Sequence, residues 1–115
     1  MKKFCLALDL KDDPGLIEEY EQLHKAENAW PEVTQSIADG GINNMEIYRV
    51  GNRLFMIIET GDDFDFENKA KLDAANPKVQ QWEQLMWKFQ QPLKWSEPGE
   101  KWVLMEQIYK MPVTI

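Results

Sequence analysis

Residues 44–60, NMEIYRVGNRLFMIIET, decide the fold of this 115-residue chain. They predict two strands, over 44–50 and 53–60, and the Gly51-Asn52 pair between them is typical of a two-residue hairpin turn. In the second strand both alternating sets of side chains are apolar, Phe55 and Ile57 on one side and Leu54, Met56 and Ile58 on the other. A sheet with one face in water alternates apolar with polar residues. We therefore expect both faces of this sheet to be covered.

The segment before the hairpin predicts one strand and then a helical region. Residues 3–10 alternate as a strand does. Asp13-Pro14 has the composition of a helix start, with Asp13 as the cap and Pro14 in the first turn. Trp30-Pro31 breaks or restarts the helix, which then runs to about residue 38 before Gly40-Gly41 ends it.

The segment after the hairpin predicts helix again and then a last strand. A weaker helix covers residues 64–75, and Asn76-Pro77 indicates the start of the next one. The apolar residues of that helix follow helical spacing at Val79, Trp82, Met86 and Phe89. Residues 92–99 form a loop punctuated by proline and glycine, and residues 101–109 predict the last strand.

The resulting order, β-α-β-β-α-β, is the ferredoxin-like pattern of the α+β class. It predicts one domain over residues 1–115, with four antiparallel strands and helices on one face. No further helix is available to cover the second face, whose strands are also apolar. We therefore expect a homodimer, a dimeric α/β barrel in which a second copy covers that face.

Composition excludes several classes of function. The net charge of −7 argues against nucleic acid and anionic membranes, both of which require clustered Lys and Arg. The single cysteine, Cys5, cannot form an internal disulfide, and no run of residues has transmembrane length, which together indicate a cytoplasmic protein. One histidine and one cysteine supply too few ligands for zinc or haem, so no metal site is expected. The acidic run at residues 62–65 lacks EF-hand spacing and is better interpreted as a solvated loop with a helix cap.

His24, the single histidine, is the candidate catalytic residue. Its ordinary pKa lies near neutrality, so it can give and take a proton at pH 7. Tyr20 precedes it by four residues and shares its helix face. A lone histidine on such a face is more often a packed or exposed residue than a catalyst. With Trp30 nearby and Trp82 on the last helix, however, the set suits a pocket for a neutral monosaccharide, because aromatic faces stack on the C–H faces of sugars.

Six short motifs lie along nearly the whole chain in a single register. They are Glu19-Tyr20-x-x-x-His24, Trp30-Pro31-Glu32, Gly41-Ile42-Asn43-Asn44-x-x-Ile47-Tyr48, Leu54-Phe55-x-x-Ile58-Glu59, Gln81-Trp82-x-x-x-Met86 and Glu106-x-x-x-x-Met111-Pro112. Together they resemble the L-rhamnose mutarotase family. The resemblance implies a dimeric ferredoxin-like fold, no cofactor, and interconversion of the α and β anomers of a 6-deoxy sugar.

The resemblance also implies roles for individual residues. His24 matches the proton donor, and Tyr20 and Trp82 match residues that contact the sugar. Rhamnose-specific members carry a tyrosine where this chain has Met45 and a second tryptophan where it has Glu83. The loop over residues 90–99 and the Lys101-Trp102 start of the last strand are similar to a different branch, that of L-fucose mutarotases. The expected substrate-binding set is therefore Tyr20, Trp30, Asn44, Met45, Trp82 and Glu83.

Several alternatives stay open at this level. The sugar is L-fucose or L-rhamnose, and the second proton-transfer group is Tyr20, a water molecule, Glu83 or Glu106. A non-catalytic monosaccharide-binding or regulatory protein would require the same pocket walls. Ferredoxin-like dimers also include cofactor-free oxygenases and haem-degrading enzymes, since fold alone does not define function.

Overall fold

The computed structural model describes residues 1–113, so the last two residues of the predicted domain lie outside it. This part of the chain contains five strands and four α-helices. In chain order they are β1 (Lys2–Leu10), α1 (Pro14–Leu23), α2 (Pro31–Asp39), β2 (Ile42–Val50), β3 (Arg53–Thr60), α3 (Phe66–Ala74), α4 (Pro77–Met86), β4 (Gln90–Gln91) and β5 (Val103–Leu104). A short 3-10 turn at Ala26–Asn28 lies between α1 and α2.

The strands form one antiparallel sheet in the order β2-β3-β1-β4, with β5 also paired to β1. This order and connectivity confirm the ferredoxin-like prediction. The predicted hairpin is present: β2 and β3 pair along their length, and Gly51 in the connecting turn has a φ of +58°, a conformation that favours glycine.

β4 and β5 are two parts of one edge strand separated by an insertion. Gln91 pairs with Asp9, and Val103 pairs with Ala7. Two steps along β1 therefore correspond to twelve along the chain, so the eleven residues 92–102 lie where a regular strand would have one. We call the ten extra residues, 92–101, the edge insertion.

The predicted last strand, residues 101–109, is wrong for most of its length. Only Val103–Leu104 is a strand, and Met105 adds one backbone hydrogen bond of 2.7 Å to the carbonyl of Cys5. Beyond it residues 106–113 have no strand partner within the described chain and are exposed. Their apolar side chains are largely in solvent, with Ile108 93% and Tyr109 73% exposed. The alternating sequence of this segment is typical of a strand, but a strand forms only where the edge of a neighbouring strand is available for pairing.

The helices cover one face of the sheet, and the core lies between the helices and that face. One buried cluster contains Leu6, Ile42, Met56, Ile58 and Phe64. The other contains Leu10, Tyr20, Leu54, Met86 and Phe89. Trp102, directly after the edge insertion, is half-buried against both clusters and so joins the edge strand to the core.

α1 ends at Leu23, well before Trp30, where the sequence placed the break. Side chains satisfy the carbonyls that a helix end leaves open. The Nδ2 of Asn28 donates to the Gln22 carbonyl at 2.7 Å, and the His24 ring lies 2.7 Å from the Tyr20 carbonyl. His24 is thus the C-terminal cap of α1, and Trp30 is the N-terminal cap of α2. Candidate site residues therefore lie where the two helices face each other.

The opposite sheet face carries apolar side chains without a helix over them. Cys5 and Ala7 of β1, Phe55 and Ile57 of β3, and Val103 of β5 alternate with the core-facing residues and remain half-buried. We call these five residues the outer patch. The sequence predicted this apolar second face, and its coverage by a second copy stays a prediction.

The core analysis leads to a stability prediction. Leu54 is 2% exposed and packs in the second cluster, so Leu54→Ala should lower the free energy of unfolding by about 2–5 kcal/mol through lost burial and a cavity. Leu72 is 46% exposed on α3 and is the matched control. Leu72→Ala should change the free energy of unfolding by less than about 0.5 kcal/mol. Urea denaturation of the two variants measures the difference, and equal midpoints would contradict this description of the core.

Candidate active site

A cavity of about 300 Å³ lies between the helices and the core face of the sheet. We call it the pocket. α1 and α2 form one side, α4 and the edge strand another, and β2 and β3 supply its floor. Most of its wall is apolar, with a few polar groups at defined places, which is the usual composition of a small-molecule site. Its polar members include Tyr20, His24, Glu83 and Gln90.

Four aromatic rings form a continuous wall. The rings of Tyr20 and His24 have centroids 4.1 Å apart at an interplanar angle of 32°. Trp82 meets His24 edge-on at 5.4 Å and Trp30 edge-on at 5.1 Å. Such contacts hold each ring in one orientation and contribute beyond the area they bury. The imidazole is therefore held in place from two sides while part of it stays accessible from the pocket.

The position of His24 determines which of its nitrogens can react. Nδ1 lies 2.7 Å from the Tyr20 carbonyl oxygen. A carbonyl only accepts, so Nδ1 carries the proton and Nε2 has the free lone pair in the neutral ring. His24 keeps part of its surface in solvent. The part of its ring that is removed from water nevertheless lowers its pKa below the usual value, and the hydrogen bond to the Tyr20 carbonyl opposes this shift only in part. At neutral pH His24 is therefore a base with Nε2 as its acceptor atom.

Tyr20 is a permanent hydrogen-bond donor in the pocket. It is 3% exposed. Burial raises its pKa to about 12; a hydrogen bond from the Gln90 side chain opposes the shift, and the charge of Glu83 adds to it. Its hydroxyl stays protonated at any physiological pH, so it can donate to a ligand but is a weak acid.

Glu83 is held by Lys101, the last residue of the edge insertion. The Lys101 Nζ lies 2.6 Å from Glu83 Oε2 and 2.6 Å from the Glu83 carbonyl, and 4.7 Å from the centroid of the Trp87 ring. The lysine side chain is only 11% exposed, whereas that of the glutamate is 44% exposed. Glu83 is thus not a freely solvated helix residue. It presents a fixed carboxylate, a pure hydrogen-bond acceptor, at the pocket.

The structure brings six of the seven expected residues to the pocket. They are Tyr20, His24, Trp30, Met45, Trp82 and Glu83. Asn44, the seventh, does not line the pocket. Neighbouring residues of a strand point to opposite faces, so Asn44 and Met45 cannot both enter the pocket. Asn44 lies on the outer side, where its Nδ2 is 3.1 Å from both Glu46 Oε1 and Glu59 Oε1.

Glu106, considered as a proton-transfer group, is also remote from the pocket. It belongs to the exposed segment after β5 and does not line the cavity. Conversely, the sequence analysis missed Gln90 and Lys101. Both take their positions from the way the edge strand pairs with β1 before and after its insertion. No local pattern in the sequence predicts that pairing.

Within residues 1–113 no three His, Cys, Asp or Glu side chains come together as metal ligands. Asp65 of the acidic run accepts from the Glu67 backbone N–H at 2.9 Å, which makes it the cap of α3. No helix in the described part is long and apolar enough to cross a membrane.

The pocket thus combines an aromatic wall with a histidine, a buried phenol and a paired carboxylate, groups that can exchange protons and hydrogen bonds with a small polar molecule. A family model described as L-rhamnose mutarotase matches residues 3–111. The chain belongs to the L-rhamnose mutarotase family.

Individual relatives agree with this assignment. The chain is 48% identical over 102 residues to the L-fucose mutarotase of Xanthomonas campestris pv. campestris, covering 89% of this chain and 82% of that protein. It is 36% identical over 84 residues to the L-rhamnose mutarotase of Phocaeicola vulgatus, covering 71% and 73% respectively.

Two solved structures share the fold at low sequence identity. A crystal structure of an L-rhamnose mutarotase from Formosa agariphila superposes with a TM-score of 0.68 at 19% identity, covering 97% of this chain and 100% of that one. The tetracenomycin F2 cyclase of Streptomyces glaucescens, a type-II polyketide cyclase, gives 0.66 at 16%, covering 99% and 100%. Since both superpose equally well, the fold alone does not select between their activities.

The geometry around His24 leads to an NMR prediction. As the single histidine, His24 gives one imidazole titration curve, whose midpoint should lie below the ordinary value of 6.5. Between the lowered pKa of His24 in the folded chain and its ordinary value in the unfolded chain, the unfolded chain binds more protons than the folded one. Folding stability should therefore fall as the pH drops below 6.5. The ring ¹⁵N shifts at neutral pH should report the proton on Nδ1. The urea-unfolded chain is the control, and a folded midpoint at or above the unfolded one would contradict the assigned environment.

Proposed function

We propose that this protein is a mutarotase that interconverts the α and β anomers of a 6-deoxyhexose, with L-fucose as the preferred sugar. The observation that carries the proposal is the fixed, neutral His24 with its Nε2 free, in an aromatic pocket of monosaccharide size. Trp30 and Trp82 offer their faces to the sugar C–H groups. Tyr20 donates to a hydroxyl, Glu83 accepts from one, and Met45 fills the apolar floor.

Mutarotation requires one proton to move between two oxygens. Nε2 of His24 takes the proton from the anomeric hydroxyl, the bond between the anomeric carbon and the ring oxygen breaks, and the ring oxygen takes up a proton. Both oxygens are bonded to the same carbon, so one imidazole can reach both and return the proton it has taken. The aldehyde group rotates, and ring closure reverses these steps. Each positioned proton transfer contributes a factor of about 10²–10⁴.

The choice of L-fucose has two supports. The L-fucose mutarotase relative is 48% identical, against 36% for the L-rhamnose relative. In addition, Glu83 places an ionic acceptor where an aromatic wall would stand in rhamnose-specific members, and Lys101 holds it there. L-fucose and L-rhamnose differ in the stereochemistry of their hydroxyl groups. A carboxylate at this position therefore favours the sugar whose hydroxyl can donate to it.

Anomer exchange measured by NMR tests the proposal. Saturation of one anomeric proton of L-fucose, and separately of L-rhamnose, should transfer to the other anomer when catalytic amounts of protein are present. A non-catalytic sugar-binding protein would shift populations only stoichiometrically. His24→Gln should keep the fold and lower the acceleration at least about 100-fold, because a positioned proton acceptor is lost.

Lys25→Gln is the matched control, since Lys25 is the exposed neighbour of His24 and does not line the pocket. It should behave as the wild type. Exchange in the His24→Gln variant at the wild-type rate would exclude the assigned role of His24, and no acceleration by the wild type with either sugar would exclude the function.

We also propose that the protein is a cytoplasmic homodimer. The apolar outer patch and the unpaired apolar segment 106–113 support the dimer, because contiguous exposed apolar surface marks an interaction site. The free thiol of Cys5 is in keeping with a reducing compartment.

Light scattering after size-exclusion chromatography tests the dimer. Ile57→Asp puts a charge in the outer patch and should convert the dimer to a monomer, because an unpaired charge is costly to bury at an interface. Val50→Asp, at an exposed position beside the hairpin turn, should leave the mass unchanged. A monomeric wild type, or a dimeric Ile57→Asp variant, would contradict an interface at this face.

A further inference from the structure

Gln90 is a buried polar residue in the wall of the pocket that the mechanism leaves unused. It is the first residue of β4, pairs with Leu10 of β1 and is only 4% exposed. Within the described chain its Oε1 has no hydrogen-bond partner. A buried polar atom without a partner is rare in folded proteins and destabilises them. Because Gln90 lines the cavity, the missing partner can come from whatever fills it.

The other half of the Gln90 amide is turned toward Tyr20. The Gln90 side chain lowers the pKa of Tyr20 against the effect of burial, which is the effect of an amide N–H directed at the phenol oxygen. The proton of the Tyr20 hydroxyl must therefore point elsewhere. Rotating the amide by half a turn would not satisfy it, because its nitrogen would then be left without a partner instead of its oxygen.

Gln90 and Tyr20 thus present an acceptor and a donor next to each other. A hydroxyl group is the complementary ligand, because it donates one hydrogen bond and accepts others. We propose that Gln90 is a specificity-determining residue, whose side-chain amide accepts a hydrogen bond from a ring hydroxyl of the sugar beside the Tyr20 hydroxyl. This inference rests on the proposed function for the identity of the sugar.

Replacing the amide by a thioether of similar length tests the inference. Gln90→Met should raise the Kd for L-fucose about tenfold, followed by the fluorescence of the pocket tryptophans. Gln91→Met is the matched control, because Gln91 is the adjacent glutamine, is exposed and does not line the pocket. It should bind L-fucose as the wild type does. An unchanged Kd for Gln90→Met would overturn the inference and point to a resident water as the partner of the amide.

Monodeoxy derivatives of L-fucose separate a direct contact from a structural role. If Gln90 binds one ring hydroxyl, the wild type and Gln90→Met should bind one of the 2-, 3- and 4-deoxy sugars equally well and still differ for the others. A variant that weakens all of these sugars by the same factor would overturn the inference, because a distorted pocket has that effect.

A measurement on the wild type keeps the inference testable even where Gln90→Met fails to fold. The side-chain N–H₂ resonances of Gln90 should shift on titration with L-fucose, and those of Gln91 should not. Resonances of Gln90 that stay fixed at saturation would overturn the inference.

The outcomes also separate this inference from the proposed function. Binding of L-fucose without accelerated exchange would exclude the mutarotase activity and leave the role of Gln90 standing. Accelerated exchange by the wild type, together with an unchanged Kd for L-fucose in Gln90→Met, would support the mutarotase activity and exclude the role of Gln90.

Discussion

The pairing of β1 on both of its edges is the constraint on which the rest of the structure depends. β3 occupies one edge over eight consecutive residue pairs, and the two parts of the edge strand occupy the other. The even-numbered residues Leu6, Leu8 and Leu10 are consequently buried beneath the helices. Because β1 fixes where the edge strand stops and resumes, it also fixes the positions of Gln90 and Lys101 at the pocket. The register of the sheet therefore determines the geometry of the site.

The chemistry of His24 arises from two opposing effects at the end of α1. Helix C-termini and carbonyl acceptors favour a protonated imidazole, whereas removal from water disfavours it. Partial burial of the ring beside Tyr20 and Trp82 is the larger effect, and it holds the pKa of His24 below its usual value. The carbonyl still has a decisive role, because it selects the tautomer. The same short helix end therefore both orients the base and leaves Nε2 as its acceptor atom.

The sequence predicted most of the fold because the relevant signals are local. Strand alternation in residues 44–60, the Gly51-Asn52 turn and the proline-capped helix starts each depend on a few neighbouring residues. What the sequence could not predict depends mostly on non-local pairing. Residues 106–109 alternate in sequence as a strand does but have no strand partner in the described chain, and Gln90 and Lys101 come to the site only through the interrupted register. Asn44 is a separate case, because strand alternation places it on the opposite face from Met45.

The edge insertion is a place where this chain can change without disturbing its sheet. Its two ends are fixed by nearby positions of β1, so its length and composition can vary without shifting the register of any strand. Its last residue, Lys101, holds the Glu83 carboxylate at the pocket. Substitutions within residues 92–101 can therefore alter the surroundings of that carboxylate, while His24 at the end of α1 and the sheet beneath it remain as they are.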